Sequence, residues 1–231
     1  VAETPLHRDN LLGLIEMFRD HYRGDPSVYI SGNMFLYFEE GNPRRSVSPD
    51  VFVALGIGDA ERDAYFTWKE GKGPDLVVEL TSPRTRKEDF DKKFTIYQDV
   101  LKVPEYFLFD PRSQYLDPPL QGYRLREGRY ERIEPIDGRL PSATTGLHLE
   151  RDGRDVKLFD PRTGVTYPTL AERADQRAEA EARIAAERKR ADEAIAAERA
   201  KTNSERKRAD EAIAELERLQ LEIEALKRGS H

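Results

Sequence analysis

Three residues of this sequence have the types and spacing of a reaction site: Asp50, Glu79 and Lys93. Asp50 follows Ser48-Pro49 and opens the apolar run Val51-Phe52-Val53-Ala54-Leu55. Glu79 interrupts a second run, Leu76-Val77-Val78-Glu79-Leu80, and Lys93 lies on the helical stretch after it. A carboxylate inside an apolar strand is costly unless something pairs with it. A hard divalent cation is one such partner, because it takes oxygen ligands. A lysine beside such a cation can position water or offset charge on a phosphate. The chemistry indicated is metal-dependent cleavage of a phosphodiester.

The elements around these residues must bring them together. Asp50 and Glu79 sit in or at strand-like runs of one expected sheet, where neighbouring strands lie ~4.8 Å apart. Along residues 75–81 the side chains alternate: Leu76, Val78 and Leu80 point one way, and Asp75, Val77, Glu79 and Thr81 the other. A helix is expected over residues 86–101, with Phe90, Phe94, Tyr97 and Leu101 as its apolar stripe. At about 100° per residue, Lys93 falls at the edge of that stripe and Lys92 nearly opposite it. Lys93 can therefore reach inward, and Lys92 should face water.

The surrounding pattern predicts a helix over 6–23 and strands at 28–31, 34–39, 50–55, 75–81 and 106–110. Shorter β pieces are expected at 121–126, 129–134 and 155–159, and part of Ala64–Trp68 reads as β-prone. Arg126-Glu127-Gly128-Arg129 suits a hairpin turn. The order predicts an α/β (α+β) domain with a mixed central sheet. A helix between 75–81 and 106–110 would make those strands parallel neighbours.

These residues resemble the Uma-two family of endonucleases, part of the PD-(D/E)XK restriction-endonuclease-like superfamily. The resemblance rests on Ser48-Pro49-Asp50-Val51-Phe52-Val53, on Gly73-Pro74-Asp75-Leu76-Val77-Val78-Glu79-Leu80-Thr81-Ser82-Pro83, on Asp89, Lys93 and Tyr97, and on Val103-Pro104-Glu105-Tyr106-Phe107-Leu108-Phe109-Asp110-Pro111. It covers roughly residues 6–160. It implies a restriction-endonuclease-like fold and a Mg²⁺ (or Mn²⁺) site at Asp50 and Glu79, with the backbone carbonyl of Leu80 as a further ligand. The superfamily's usual lysine stands two positions after the acidic residue, where this chain has Thr81. The family pattern takes the lysine from the next helix, and Lys93 matches that place. The superfamily sometimes adds a glutamate from the first helix, for which Glu16 is the candidate.

Each residue also has an ordinary explanation. Asp50 after Pro49 suits a turn entering a strand. Glu79 can pair with a nearby Arg or Lys. Lys93 can be a surface lysine laying its stem on the protein. The joint arrangement favours the site. His7, His21 and His148 show no metal-ligand spacing, and there is no Gly-rich phosphate loop. Glu105 and Tyr106 read as structural.

The chain has 231 residues, no cysteine and a formal net charge of −6. Disulfides and thiolate metal sites are excluded, and a cytoplasmic location is expected. No apolar run approaches the ~18 residues that span a bilayer. Val1–His7 carries no signal-peptide pattern. It reads as a trimmed start, and Gly229-Ser230-His231 reads as a tag remnant. The net charge is acidic, but Arg84, Arg86, Lys87, Lys92 and Lys93 cluster near the site, and Arg44 and Arg45 precede Asp50. They offer phosphate contacts, or else a solvated helix start.

The expected division is a nuclease-like domain over 1–165 and an Ala/Glu/Arg-rich helix over 169–228. Glu187–Ala196 recurs unchanged at Glu205–Ala214, a period of 18 residues. That is five turns, so the repeat returns to one face. Leu216, Leu219, Ile223 and Leu226 fall at a-d-a-d spacing. A coiled coil joining copies of the chain is expected, with a dimer favoured. The expected function is a metal-dependent DNA endonuclease. The alternative is a catalytically silent nuclease-fold DNA-binding or coiled-coil assembly module, and cleavage of RNA is a third option.

Overall fold

The computed structural model describes residues 4–81 and 88–228. The chain divides into two units, Val1–Arg173 and Ala174–His231.

The first unit opens with helix α1 (Pro5–His21). The Thr4 hydroxyl accepts the His7 N–H at 3.2 Å, and Pro5 takes the first helical position, where a missing N–H costs nothing. Leu11, Leu14, Ile15 and Phe18 give the helix one buried face. Asn10 fixes its register, because its Oδ1 accepts the Val156 N–H at 2.9 Å and its Nδ2 donates to the Arg154 carbonyl at 3.1 Å.

Six strands form the main sheet: β1 (Val28–Ser31), β4 (Val51–Leu55), β6 (Leu76–Leu80), β7 (Glu105–Phe109), β8 (Leu120–Arg126) and β9 (Arg129–Arg132), in the order β1-β4-β6-β7-β8-β9. Only the β6–β7 pair of this sheet is parallel, so the sheet is mixed as the sequence order implied. β4, β6 and β7 are apolar almost throughout because both faces of the sheet are covered. One face carries Val51, Val53, Leu76, Val78, Leu80, Phe107 and Phe109 and packs on α1. It also packs on a second, antiparallel sheet of β10 (Leu140–Pro141), β11 (His148–Asp152), β12 (Asp155–Asp160) and β13 (Val165–Thr166). The opposite face carries Phe52, Val77, Tyr106 and Leu108. It packs on Tyr97 and on a small sheet of β2 (Leu36–Tyr37), β3 (Ser46–Val47) and β5 (Tyr65–Phe66). A helical turn, α2 (Thr67–Glu70), follows β5.

Several expectations are revised. The strand expected over 34–39 is limited to Leu36–Tyr37, and Trp68 lies in the turn α2 rather than in a strand. Three strands of the second sheet and β3 were not expected; they are short, and each buries few side chains. The helix expected over 86–101 is wider than an α-helix. Its described part consists of two π-type turns, Glu88–Lys93 and Ile96–Val100. The Leu101 N–H donates to the carbonyl of Ile96, five residues back, at 2.9 Å. Ser82-Pro83 and the basic residues Arg84, Arg86 and Lys87 lie outside the described residues. The β8–β9 hairpin turns at Glu127 and Gly128, both at positive φ (48° and 82°), as a two-residue primed turn requires.

The second unit is helical. Helix α3 runs over Leu170–Arg228 and starts within the first unit. There Arg173 reaches Asp20 of α1 at 2.5 Å, and Glu172 accepts from Lys157 at 2.8 Å. Among the described residues of α3, Ile184, Ile195, Ile213, Leu216, Leu219 and Ile223 are about half exposed or more. Among the described residues no helix is long and apolar enough to cross a membrane.

Candidate active site

β4 and β6 run antiparallel with Val51 opposite Val78 and Phe52 opposite Val77. The same register sets Asp50, just before β4, against Glu79 on β6. Directly opposed residues of an antiparallel pair project to one face, with Cβ atoms about 4.5–5.5 Å apart. The pair is tied at both ends by carboxylates. At one end Asp50 Oδ2 accepts the Leu80 N–H at 2.7 Å. At the other, Asp75 Oδ2 accepts the Leu55 N–H at 2.7 Å and meets the Lys72 ammonium at 2.6 Å.

The placement of Asp50 also depends on a glycine. A Cβ on Gly32 would lie 2.1 Å from the Asp50 carbonyl oxygen, so only glycine lets the chain after β1 pass this close. Beside it the Asn33 N–H donates to the Pro49 carbonyl at 2.9 Å. Four segments thus meet at Asp50: the start of α1, the end of β1, β4 and β6.

Glu79 has no solvent exposure. Lys93 Nζ donates to its Oε2 at 2.8 Å, and the Tyr97 hydroxyl donates to its Oε1 at 2.7 Å. Both donors come from the wide π-type helical segment, whose inner face carries them toward β6. Lys93 is itself only 12% exposed at its side chain, whereas Lys92 is exposed. On the other carboxylate, His7 Nε2 stands 3.3 Å from Asp50 Oδ1.

The electrostatics follow from these contacts. Burial pushes the Asp50 carboxyl up, but the His7 contact, the Lys93 charge and the Leu80 N–H together hold it below the ordinary carboxylate value. Asp50 is therefore ionised at neutral pH. Burial, reinforced by the charge of Glu79, raises the Tyr97 hydroxyl well above its usual range, so Tyr97 stays a proton-bearing donor.

The donor set suits a hard divalent cation. The strand register sets two carboxylates opposite one another, and an ionised carboxylate has about four acceptor sites. Thr81 Oγ1, two positions beyond Glu79, is buried and has no hydrogen-bond partner among the described residues. No group of three or more His, Asp or Glu side chains with metal-holding geometry exists among the described residues. Mg²⁺ is commonly bound through one or two carboxylates, with water and phosphate completing its shell. The ordinary explanation of Glu79, a pair with a lysine, is also realised here, and the pair is part of the same site.

The family model of Uma2, described as "Putative restriction endonuclease", matches residues 1–168. The chain belongs to the Uma2 family. A crystal structure of a putative nuclease belonging to DUF820 from Anabaena variabilis ATCC 29413 is similar to this Uma2 chain, with a TM-score of 0.49 at 17% identity over 65% of this chain and 80% of that one. No curated protein matches.

Uma2 membership places the chain in a restriction-endonuclease-like nuclease family, and α3 lies beyond the matched residues. Within the Uma2 domain two residues that contact the candidate carboxylates were given no role in the sequence reading. His7 was set aside for lack of metal spacing, yet the fold brings it to Asp50. Tyr97 was placed in the apolar stripe and in the family motif without a role, and its hydroxyl donates to Glu79. A tyrosine at i+4 from Lys93 was the available signal, since such residues share a helix face. Glu16 stands nine residues from His7, half a turn out of phase on α1, and pairs with Arg19 at 3.0 Å on the surface. Arg45 binds Glu39 at 3.0 Å, and Arg44 is exposed. Glu105 is structural: its buried carboxylate takes Arg124 at 2.8 Å, Ser142 at 2.5 Å and the Ala143 N–H at 2.9 Å, joining the two larger sheets. A cleft of about 690 Å³ opens elsewhere, between the end of α1 and β1, and neither Asp50 nor Glu79 lines it.

Proposed function

We propose that the chain is a metal-dependent endonuclease that hydrolyses phosphodiester bonds in DNA. The observation that carries this reading is the opposition of Asp50 and Glu79 across β4 and β6, with Lys93 Nζ 2.8 Å from Glu79. Asp50, Glu79 and the Leu80 backbone carbonyl would hold Mg²⁺ or Mn²⁺. When bound, the cation supplies Lewis acidity toward a phosphate oxygen and lowers the pKa of a water.

The chain's own groups do the rest. Asp50 is kept ionised by His7, Lys93 and the Leu80 N–H. Tyr97 stays protonated and fixes the orientation of Glu79 through a 2.7 Å bond. Lys93 brings an ammonium to Glu79, suited to orient water or a phosphate oxygen and to offset developing charge. The rigid strands β4 and β6 hold this geometry before substrate arrives.

The test is nicking of plasmid DNA with Mg²⁺ by the wild type and by Glu79→Ala. Cleavage should vanish in the variant while its circular dichroism stays unchanged. Full activity in a folded Glu79→Ala protein sinks the reading.

One observation favours a second reading, a catalytically silent DNA-binding or assembly module. The charges of Asp50 and Glu79 already meet donors from His7, Leu80, Lys93 and Tyr97. In that reading the domain over 1–165 is a platform, and the helix over 169–228 joins copies of the chain, as a dimer, through its apolar residues. Salt-sensitive DNA affinity without turnover marks it.

A further inference from the structure

The small sheet carries a row of aromatic rings on its outer face. β2 and β5 are parallel, with Leu36 beside Tyr65 and Tyr37 beside Phe66. Leu36 and Tyr65 point into the core and are fully buried. Tyr37 and Phe66 therefore share the opposite face, their rings stacked with centroids 5.3 Å apart and planes 15° from parallel. Phe35, two residues before Tyr37, extends the row at 6.0 Å with its plane tilted by 34°, and Trp68, two residues after Phe66, extends it at 5.1 Å on the other side with its plane tilted by 57°. Four rings thus run in sequence Phe35-Tyr37-Phe66-Trp68. The Tyr37–Phe66 pair has a structural use, since cross-strand aromatic pairs stabilise sheets. That use does not account for Phe35, which is 58% exposed at the end of the row.

Both signs of charge border the row: Glu39 and Glu40 are exposed after Tyr37 and Phe38, and two cations lie beside the rings. Lys69 Nζ lies over the Phe66 ring at 4.5 Å, and Arg44 is exposed on the turn between β2 and β3. Neither cation is in a salt bridge among the described residues. Arg45 lies over Phe38 at 4.9 Å but is engaged by Glu39. Along the chain the row begins close to the candidate site. Phe35 is two residues from Asn33, whose N–H holds the Pro49 carbonyl next to Asp50. An exposed ring, Phe35, at the end of a row of half-buried rings with two cations beside it is a pattern used by single-strand binding surfaces, where aromatic side chains stack on bases and cations meet phosphates.

We propose that Phe35, Tyr37, Phe66 and Trp68 are a stacking platform for unpaired DNA bases next to the Asp50–Glu79 site. The proposal rests on the nuclease reading for its substrate and adds that the strand is presented locally unpaired. Bases inside a duplex have no free face for these rings. With Lys69 and Arg44 as the cations beside the row, stacking leads the binding there, and the row's share of the salt dependence should correspond to about two phosphate contacts or fewer.

Trp68 is the only tryptophan of the chain, so its fluorescence reports on the row directly. The experiment titrates the full chain, in EDTA to prevent cleavage, with oligothymidylate of about twenty nucleotides, longer than the usual footprint of about 4–16. The same strand paired with oligodeoxyadenylate serves as the duplex probe. Expected are saturable quenching by the single strand, much weaker quenching by the duplex, and an affinity lowered roughly five- to hundredfold in Phe35→Ala, the loss of one stack. Phe35→Ala removes an exposed side chain and should fold normally by circular dichroism.

Absence of quenching overturns the proposal, as does equal binding of single strand and duplex, or unchanged affinity in Phe35→Ala. A Trp68 signal that changes with protein concentration and ignores DNA assigns the row to a second copy and also overturns it. The two readings fail separately. A wild type that binds oligothymidylate but cuts no DNA removes the nuclease reading and keeps the platform. One that cuts DNA without Trp68 quenching removes the platform alone.

Discussion

Lys93 Nζ stands 2.8 Å from Glu79 Oε2, and the carboxylate it meets has no exposure to solvent. The pair joins the helical segment after β6 to the centre of the main sheet. It brings a cation and an anion to the place where Asp50 completes the group. A buried pair of this kind is a poor way to gain stability, because desolvating both charges offsets most of their attraction. Breaking it from one side is costly all the same.

Lys93→Met should therefore destabilise the domain by about 3–5 kcal/mol in EDTA, since it leaves the Glu79 charge buried with a donor removed. Urea denaturation measures this. The double variant Glu79→Gln/Lys93→Met should recover much of the loss, and a double variant no better than Lys93→Met would show that the two side chains are not coupled.

Tyr97→Phe removes one hydroxyl and keeps the ring against Tyr106, 5.1 Å away between centroids. A hydrogen bond to a charged group contributes about 1.5–3 kcal/mol, and a loss of that order is expected in the same denaturation. Cleavage should fall as well, because Glu79 loses the group that orients it. A Tyr97→Phe protein of wild-type stability and activity would remove Tyr97 from the site.

Gly32→Ala tests the close passage of the chain at Asp50. The added methyl meets backbone oxygen at 2.1 Å, not the yielding end of a side chain. The variant should lose stability by about 1–3 kcal/mol through overpacking, and Mn²⁺ affinity should drop because Asp50 is displaced. Both are read in one titration and one melt.

Along α3, Ile184, Ile195 and Ile213 recur after 11 and 18 residues, three and five helical turns. Leu216, Leu219 and Ile223 follow in seam spacing, all about half exposed or more. On the assembly proposal, the full chain sediments as a dimer and Leu216→Asp should shift its mass by sedimentation equilibrium toward monomer. An unchanged mass would mean that this seam does not join copies. Leu226, the last residue of the expected seam, lies among side chains that are not described.

The legible parts of the fold were those where one physical signal dominates. β4, β6 and β7 announce themselves as apolar runs covered on both faces. Asp50 and Glu79 stand out because a carboxylate does not belong in such a run. The long helix announces itself by an 18-residue repeat without Gly or Pro. His7 was hidden because its contact with Asp50 depends on where α1 docks, which Asn10 and β12 decide from the far end of the chain. The wide helical turns that aim both Lys93 and Tyr97 at Glu79 have no signature in residue type. β10, β11 and β13 bury too few side chains to show an alternating pattern, and the aromatic row needs the pairing of β2 with β5 before its four rings line up.

The central claim is that Asp50 and Glu79 share one divalent cation. Calorimetric titration of Mn²⁺ into the wild type, Asp50→Ala and Glu79→Ala tests it most directly. Binding by the wild type that disappears in both variants is the expected result. A wild type that takes up no Mn²⁺ even with a phosphodiester oligonucleotide present, or a variant that binds it as tightly as the wild type, would contradict the claim.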